Sequence, residues 1–106
     1  MTRYLLAYHG GQMPETEEEQ AQTIAAWGAW FEDLGAAVID GGNPTGHSVT
    51  VASGARITAG GGSNPVSGYS IVEAADLDAA AEMAHGCPIL AAGGSVEVCE
   101  TFDVGL

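Results

Sequence analysis

Positive charge is nearly missing from this sequence. Only Arg3 and Arg56 are permanently cationic among 106 residues, against 14 Asp and Glu, for a formal net charge of −12. Nucleic-acid affinity comes from Lys and Arg displacing counterions from phosphates, so no nucleic-acid partner is expected. The same shortage argues against anionic membrane surfaces and phosphate-rich ligands. No apolar run is long enough to span a bilayer. Met1 leads directly into a short strand-like segment and not into a leader, so the cytoplasm is the expected compartment. Cysteine is limited to Cys87 and Cys99, read as thiols and not as a disulfide. Nucleotide-binding signatures are absent too. The glycine-rich run Gly60-Gly61-Gly62-Ser63-Asn64-Pro65 is followed by no Gly-Lys-Ser/Thr, and no G-x-G-x-x-G opens a helix, so it is a flexible loop and not a phosphate cradle. No His, Cys or acidic pair stands at zinc-finger or H-E-x-x-H spacing. Neither cofactor nor metal is expected, although a set drawn from distant residues such as His9, Asp40 and Glu97 stays open.

What is present fits one domain over residues 1–106. A chain of this length buries roughly two thirds of its unfolded surface, and many such domains gain further burial by pairing. The most structured stretch is GYSIVEAADLDAAAEMAHGCPILAAGGSVEVCE, Gly68 to Glu100. Tyr69 to Ala74 mixes β-branched, aromatic and small residues as a strand does. Asp76 is placed as a helix N-cap. Leu77, Ala80, Ala81 and Ala84 then repeat at helical spacing, with Met83 at the edge of the stripe. Gly86 is expected to close that helix in a left-handed conformation and Pro88 to keep it from resuming. Gly93-Gly94 makes a turn, and Ser95 to Phe102 alternates as a strand.

Upstream, Tyr4 to His9 reads as a strand with Tyr4, Leu6 and Tyr8 on one side and Leu5, Ala7 and His9 on the other. Both sides are mostly apolar, so helices are expected on one and a second subunit on the other. Thr16 and Glu19 have capping-box spacing, and Glu17, Glu18 and Glu19 suit the positive end of a helix dipole. Ile24, Trp27, Phe31 and Leu34 trace an apolar face, Gly35 ends the helix, and Trp30 lies off that stripe. Trp30 is read either as a partly buried edge residue or as a contact for a ligand or partner. Ala37 to Asp40 is a short extended piece entering the turn DGGNP. Ser48 to Ala52 and Ala55 to Thr58 form a hairpin about Ser53-Gly54. The order suggests an α+β sandwich close to the split βαβ, ferredoxin-like arrangement.

Taken together, the opening YLLAYHGG, the helix AAWGAWFEDLG, the turn DGGNP and the long GYSIVEAADLDAAAEMAHGCPILAAGGSVEV resemble the YCII-related proteins, in the subgroup related to the DGPF domain. The resemblance covers nearly the whole chain. It implies a ferredoxin-like βαββαβ fold paired into a dimeric α+β barrel with a cleft in each subunit. Two departures are visible. Where the DGPF motif would fall, Thr58 to Gly62 reads TAGGG. The family is also associated with a His–Asp pair whose histidine lies on or near the first helix. Here that helix holds no histidine, while Asp40 matches the aspartate.

Candidate chemical groups follow. His9 can exchange a proton near neutral pH, or simply bond a neighbouring loop. His85 sits in the last turn of the second helix, where capping is its ordinary role; His47 belongs to a solvated loop. Asp40 can orient a histidine or shape its turn. Glu73 and Glu97 lie on strands; inward burial would suit Glu97 to acid–base work, whereas outward it is a solvated residue. Cys87, just after a helix C-terminus, is not expected to be reactive. Two readings result. One is a homodimer binding a neutral or cationic small molecule in a cleft lined by Tyr4 or Tyr8, Trp30, His9 and Asp40, with Glu97 and His85 as further ligand-binding candidates. The other is a cofactor-independent lyase or isomerase using His9 and Asp40 as acid and base. A regulatory interaction module is a third, resting only on the acidic surface.

Overall fold

A computed structural model describes all residues, Met1–Leu106. Strand β1 (Thr2–His9) is followed by helix α1 (Glu17–Leu34), a 3-10 turn (Gly35–Ala37) and β2 (Val38–Asp40). A short hairpin, β3 (Val49–Val51) and β4 (Ile57–Ala59), precedes the long strand β5 (Val66–Ala74). Helices α2 (Leu77–Ala84) and α3 (Pro88–Ala91) lead to β6 (Ser95–Glu100). The four long-range strands form one antiparallel sheet in the order β2-β5-β1-β6, and β3-β4 stands as a separate two-stranded ribbon. With the ribbon set aside, this is the strand order of a split βαβ, ferredoxin-like α+β fold, the class expected.

Alternation along the central strands divides the sheet. Tyr4, Leu6 and Tyr8 of β1 stand opposite Val72, Ser70 and Gly68 of β5, and all six are buried beneath the helices. The core adds Trp30, Ala74, Ala80, Cys87 and Ile89, with Val96 and Val98 of β6 packed against it. Leu5, Ala7, His9, Tyr69, Ile71, Glu97 and Cys99 occupy the other face, which no helix covers.

The caps form as their chemistry requires. Thr16 Oγ1 accepts from the Glu19 amide at 3.1 Å, and Asp76 Oδ1 accepts from the Ala79 amide at 2.8 Å. The reciprocal half of the first capping box is displaced by one residue: Glu19 Oε2 accepts from the Glu15 amide and not from Thr16. Other expectations are corrected. The inward face of α1 runs Thr23, Trp27, Trp30, Phe31, Leu34, while Ile24 is 73% exposed. Trp30, placed off the stripe by the sequence, is the one fully buried residue of α1. Its position three after Trp27 is on the stripe, and its indole N–H finds the Met83 carbonyl at 3.0 Å, so the ring can be buried without stranding a donor. Gly86 does not adopt the left-handed conformation; α2 ends on His85 in right-handed geometry. Glycine serves close packing there instead, since a Cβ would lie 3.1 Å from Trp30 Cδ1. Pro88 opens α3 at its first position rather than only ending α2; its missing N–H and fixed φ suit that site. Leu77 points outward at 48% exposure, so the α2 stripe rests on Ala80 and Ala84.

Candidate functional site

Two chemically distinct places lie on opposite sides of the sheet. On the helix side, the β1–α1 loop, the outer surface of α1 and the Gly41–Pro44 turn enclose a broad groove of about 1340 Å³. Its floor and walls are aromatic: Tyr8, Trp27, Trp30 and Phe31. Tyr8 and Trp27 meet edge to face at 4.9 Å, and Trp27 and Trp30 do so at 5.6 Å. Such contacts set the ring positions and leave flat apolar surface turned to the groove. Glu15, Glu19 and Asp33 also line it, and no Lys, Arg or His does. The Tyr8 hydroxyl donates to Ser70 Oγ at 2.7 Å, and Ser70 donates in turn to the Gly41 carbonyl at 2.6 Å. Burial pushes the Tyr8 hydroxyl up to about 12, so it works as a neutral hydrogen-bonding group.

Asp40 contributes to the groove indirectly. Its Oδ1 accepts from the Gly42 amide at 2.8 Å, an Asx turn that starts the DGGNP wall. Gly42 has φ +70°, and a Cβ there would overlap the Tyr69 carbonyl oxygen. The turn therefore needs both an oxygen-bearing side chain at 40 and no side chain at 42.

On the uncovered side of the sheet, His9 closes β1 with its side chain only 10% exposed. Nδ1 lies 3.0 Å from the Asn64 carbonyl oxygen and 3.2 Å from that of Pro65. Carbonyls only accept, so Nδ1 carries a hydrogen. Nε2 lies 3.0 Å from Glu97 Oε1. The other carboxylate oxygen of Glu97 accepts from the Cys99 thiol at 3.7 Å. Burial and the adjacent Glu97 charge raise the Cys99 thiol, opposing thiolate formation. Burial pushes Cys87 up to about 11, with the same consequence.

The residues named from sequence thus fall into separate places. Tyr8 and Trp30 line the groove. His9 meets Glu97, its diagonal neighbour across β1 and β6: His9 pairs with Ser95, and Glu97 stands two residues further on the same face. His9 and Asp40 are not brought together. The first pairs with Val66 and the second with Ile71 of the intervening strand, roughly 16 Å apart along it at about 3.3 Å per residue. His85 borders a small hollow of about 200 Å³ with Leu90, Val96 and Val98, away from both places. His47 is exposed in its loop. The sequence does not single out Trp27, Phe31 and Asn43 as groove residues. Trp27 and Phe31 are legible as an apolar helix face, but nothing local indicates that the face continues into an open groove.

The sheet order and its one-sided helical layer define a ferredoxin-like α+β protein with an aromatic groove above the sheet. The YCII-related domain pattern matches residues 3–104, and the chain belongs to that family. No curated protein matches the sequence. No helix is long and apolar enough to cross a membrane.

Proposed function

We propose that this YCII-related chain, of the DGPF-like branch, works in the cytoplasm as a homodimer that binds a small neutral or cationic molecule with an apolar body. The aromatic groove carries the reading. It offers the rings of Trp27 and Phe31, the amide of Asn43 and a carboxylate rim, in a volume large enough for a drug-sized ligand. A cationic head is favoured by ring faces and carboxylates together, whereas an anion would meet only repulsion from the side chains. The test is an NMR titration with benzyl alcohol, benzylamine and benzoate, following the Trp27 indole N–H. The first two should shift it and benzoate should not, and Trp27→Leu should remove binding of both. Failure of all three probes to move groove resonances would discard the reading.

A second reading is supported by a different observation, the 3.0 Å contact between His9 Nε2 and Glu97 Oε1. A buried imidazole held at Nδ1 by carbonyls and paired at Nε2 with a carboxylate is an orienter-and-acid arrangement. In that reading the chain is a cofactor-independent lyase or isomerase with Glu97, and not Asp40, as the histidine's partner. Turnover abolished by His9→Gln and reduced by Glu97→Gln, but unaffected by Asp40→Asn, would support it; equal loss in all three would instead indicate a folding defect.

A further inference from the structure

Strand β6 is an edge. It pairs with β1 on one side, and in the order β2-β5-β1-β6 no strand lies beyond it. Thr101 donates its N–H to the Arg3 carbonyl, which fixes the phase of the ladder. Antiparallel pairs alternate between hydrogen-bonded and non-hydrogen-bonded positions. The odd-numbered residues of β6 therefore bond β1, and Val96, Val98 and Glu100 turn their backbone groups to the free edge. An uncovered row of this kind is a template for another strand. Beside it lies the hollow of about 200 Å³, between Ala81, Ala84 and His85 of α2, Leu90 of α3, and Val96 and Val98. The two valines that offer free backbone groups also line the hollow.

The segment after β6 carries the pattern such an edge takes. Phe102, Val104 and Leu106 alternate with Asp103 and Gly105, and they are 78%, 74% and fully exposed. Apolar residues at every second position are a strand's pattern, here without a strand's cover. When extended, these three share a face with Val96 and Val98. Gly105 now curls the segment: at φ +76° it donates its N–H to Asp103 Oδ1 at 2.9 Å. That bond is exposed and exchangeable for water, and glycine passes to extended backbone without a steric cost.

Charge selects a register. Antiparallel pairing of two copies about a two-fold axis at Thr101 sets Val98 opposite Val104, Val96 opposite Leu106 and Glu100 opposite Phe102. Glu97 then meets Gly105 and Asp103 meets Cys99, so no carboxylate stands opposite another. Moving the axis back to Glu100 would set Glu100 against Glu100 and Glu97 against Asp103. Like charges directly opposite are destabilising.

We propose that Ser95–Leu106 is a strand-exchange edge between two copies of this chain. The Phe102–Leu106 segment of one copy adds to β6 of the other, seats Val104 and Leu106 over Val98 and Val96 at the hollow, and receives the same in return. Main-chain bonds supply the affinity, and the hollow supplies the choice of side chain. The contact uses only the sheet's edge, so it rests neither on the groove nor on the sheet's uncovered face.

Sedimentation at about 0.15 M salt, which screens repulsion between acidic copies, tests it. Circular dichroism checks that each variant is folded; the segment altered is exposed and outside the core. A chain cut after Thr101 should sediment at half the wild-type mass. Val104→Asp should raise the dissociation constant by about 10-fold or more, because a charge would be buried against Val98. The register is read with Thr101→Cys in a Cys99→Ser background. Residues at the axis form a non-hydrogen-bonded pair with Cα atoms about 4.5 Å apart, within reach of a disulfide. Oxidised glutathione should join two copies through position 101, and adding Val104→Asp should slow the joining by about 10-fold. A wild-type mass indifferent to both changes of the segment overturns the proposal. So does a wild-type chain that sediments as a monomer, or an associated chain that forms no cross-link at 101.

Discussion

Tyr8 links burial to protonation. Its hydroxyl titrates near 12 when folded and near 10 when unfolded. The folded state therefore holds its proton more tightly, and the resulting stability is complete below pH 10 and lost as pH rises toward 12. Cys87, raised from 9 to about 11, adds the same kind of loss over pH 9 to 11. Each removes about 2 kcal/mol at the alkaline end: two tenfold steps in proton affinity at about 1.4 kcal/mol each would give about 3, and partial solvation of both groups screens some of it. Urea midpoints measured from pH 8 to 11.5 should fall steadily. Tyr8→Phe should lose about 1 kcal/mol at neutral pH with its bond to Ser70, and should flatten the decline above pH 10. An unchanged alkaline slope in that variant would rule out Tyr8 as the source. Gly42→Ala tests the turn that walls the groove. Its positive φ and the Tyr69 carbonyl both reject a Cβ, so thermal melts should show a loss of about 2 kcal/mol or more. Asp40→Ala, which removes only the Asx bond, should cost about 1 kcal/mol.

At the scale of the elements, termini are more legible than faces. Thr16 and Asp76 cap their helices as their side chains predict, because a cap depends on neighbours within three residues. The face of α1 is less legible because apolarity alone favours Ile24 over Thr23, and that choice rotates the stripe by about 100°. The tertiary structure instead selects the line that brings Trp27, Trp30 and Phe31 together above Tyr8. Gly86 is legible as a special position but for the wrong reason: the constraint is the ring of Trp30, 53 residues away from the Met83 carbonyl it bonds. The site divides in the same manner. His9, Glu97 and Asp40 are each visible as unusual residues, yet the pairing depends on the registers of β6 and β5 against β1, which no local pattern encodes. The α1–α2 junction can be checked through Gly86→Ala. The added methyl must move Trp30 by a few tenths of an ångström, costing about 1 kcal/mol. It should also speed exchange of the Trp30 indole hydrogen as the Met83 bond lengthens. An indole that exchanges no faster would mean that the ring adapts without disturbing the junction.

The whole molecule is a thin plate with most of its charge of one sign. At 20 Å across, it is about a sheet and one helical layer deep, so few charges are separated by a thick interior. A net charge of −12 on such a body produces self-repulsion that unfolding relieves by expansion. The Debye length falls from about 30 Å at 0.01 M salt to about 8 Å at 0.15 M, from comparable with the plate's 44 Å extent to well below it. Added sodium chloride should therefore raise the melting temperature over that range. In the proposed homodimer it should also tighten self-association, since two copies of charge −12 repel each other as they approach. The two effects separate by concentration: relief within one chain is independent of protein concentration, whereas relief between copies grows as the protein is diluted toward its dissociation constant. Melting curves at two salt and two protein concentrations resolve them. A melting temperature that falls with salt would show that local attractions such as Met1–Glu73 and His9–Glu97 outweigh the general repulsion, and would reverse the electrostatic account of the fold.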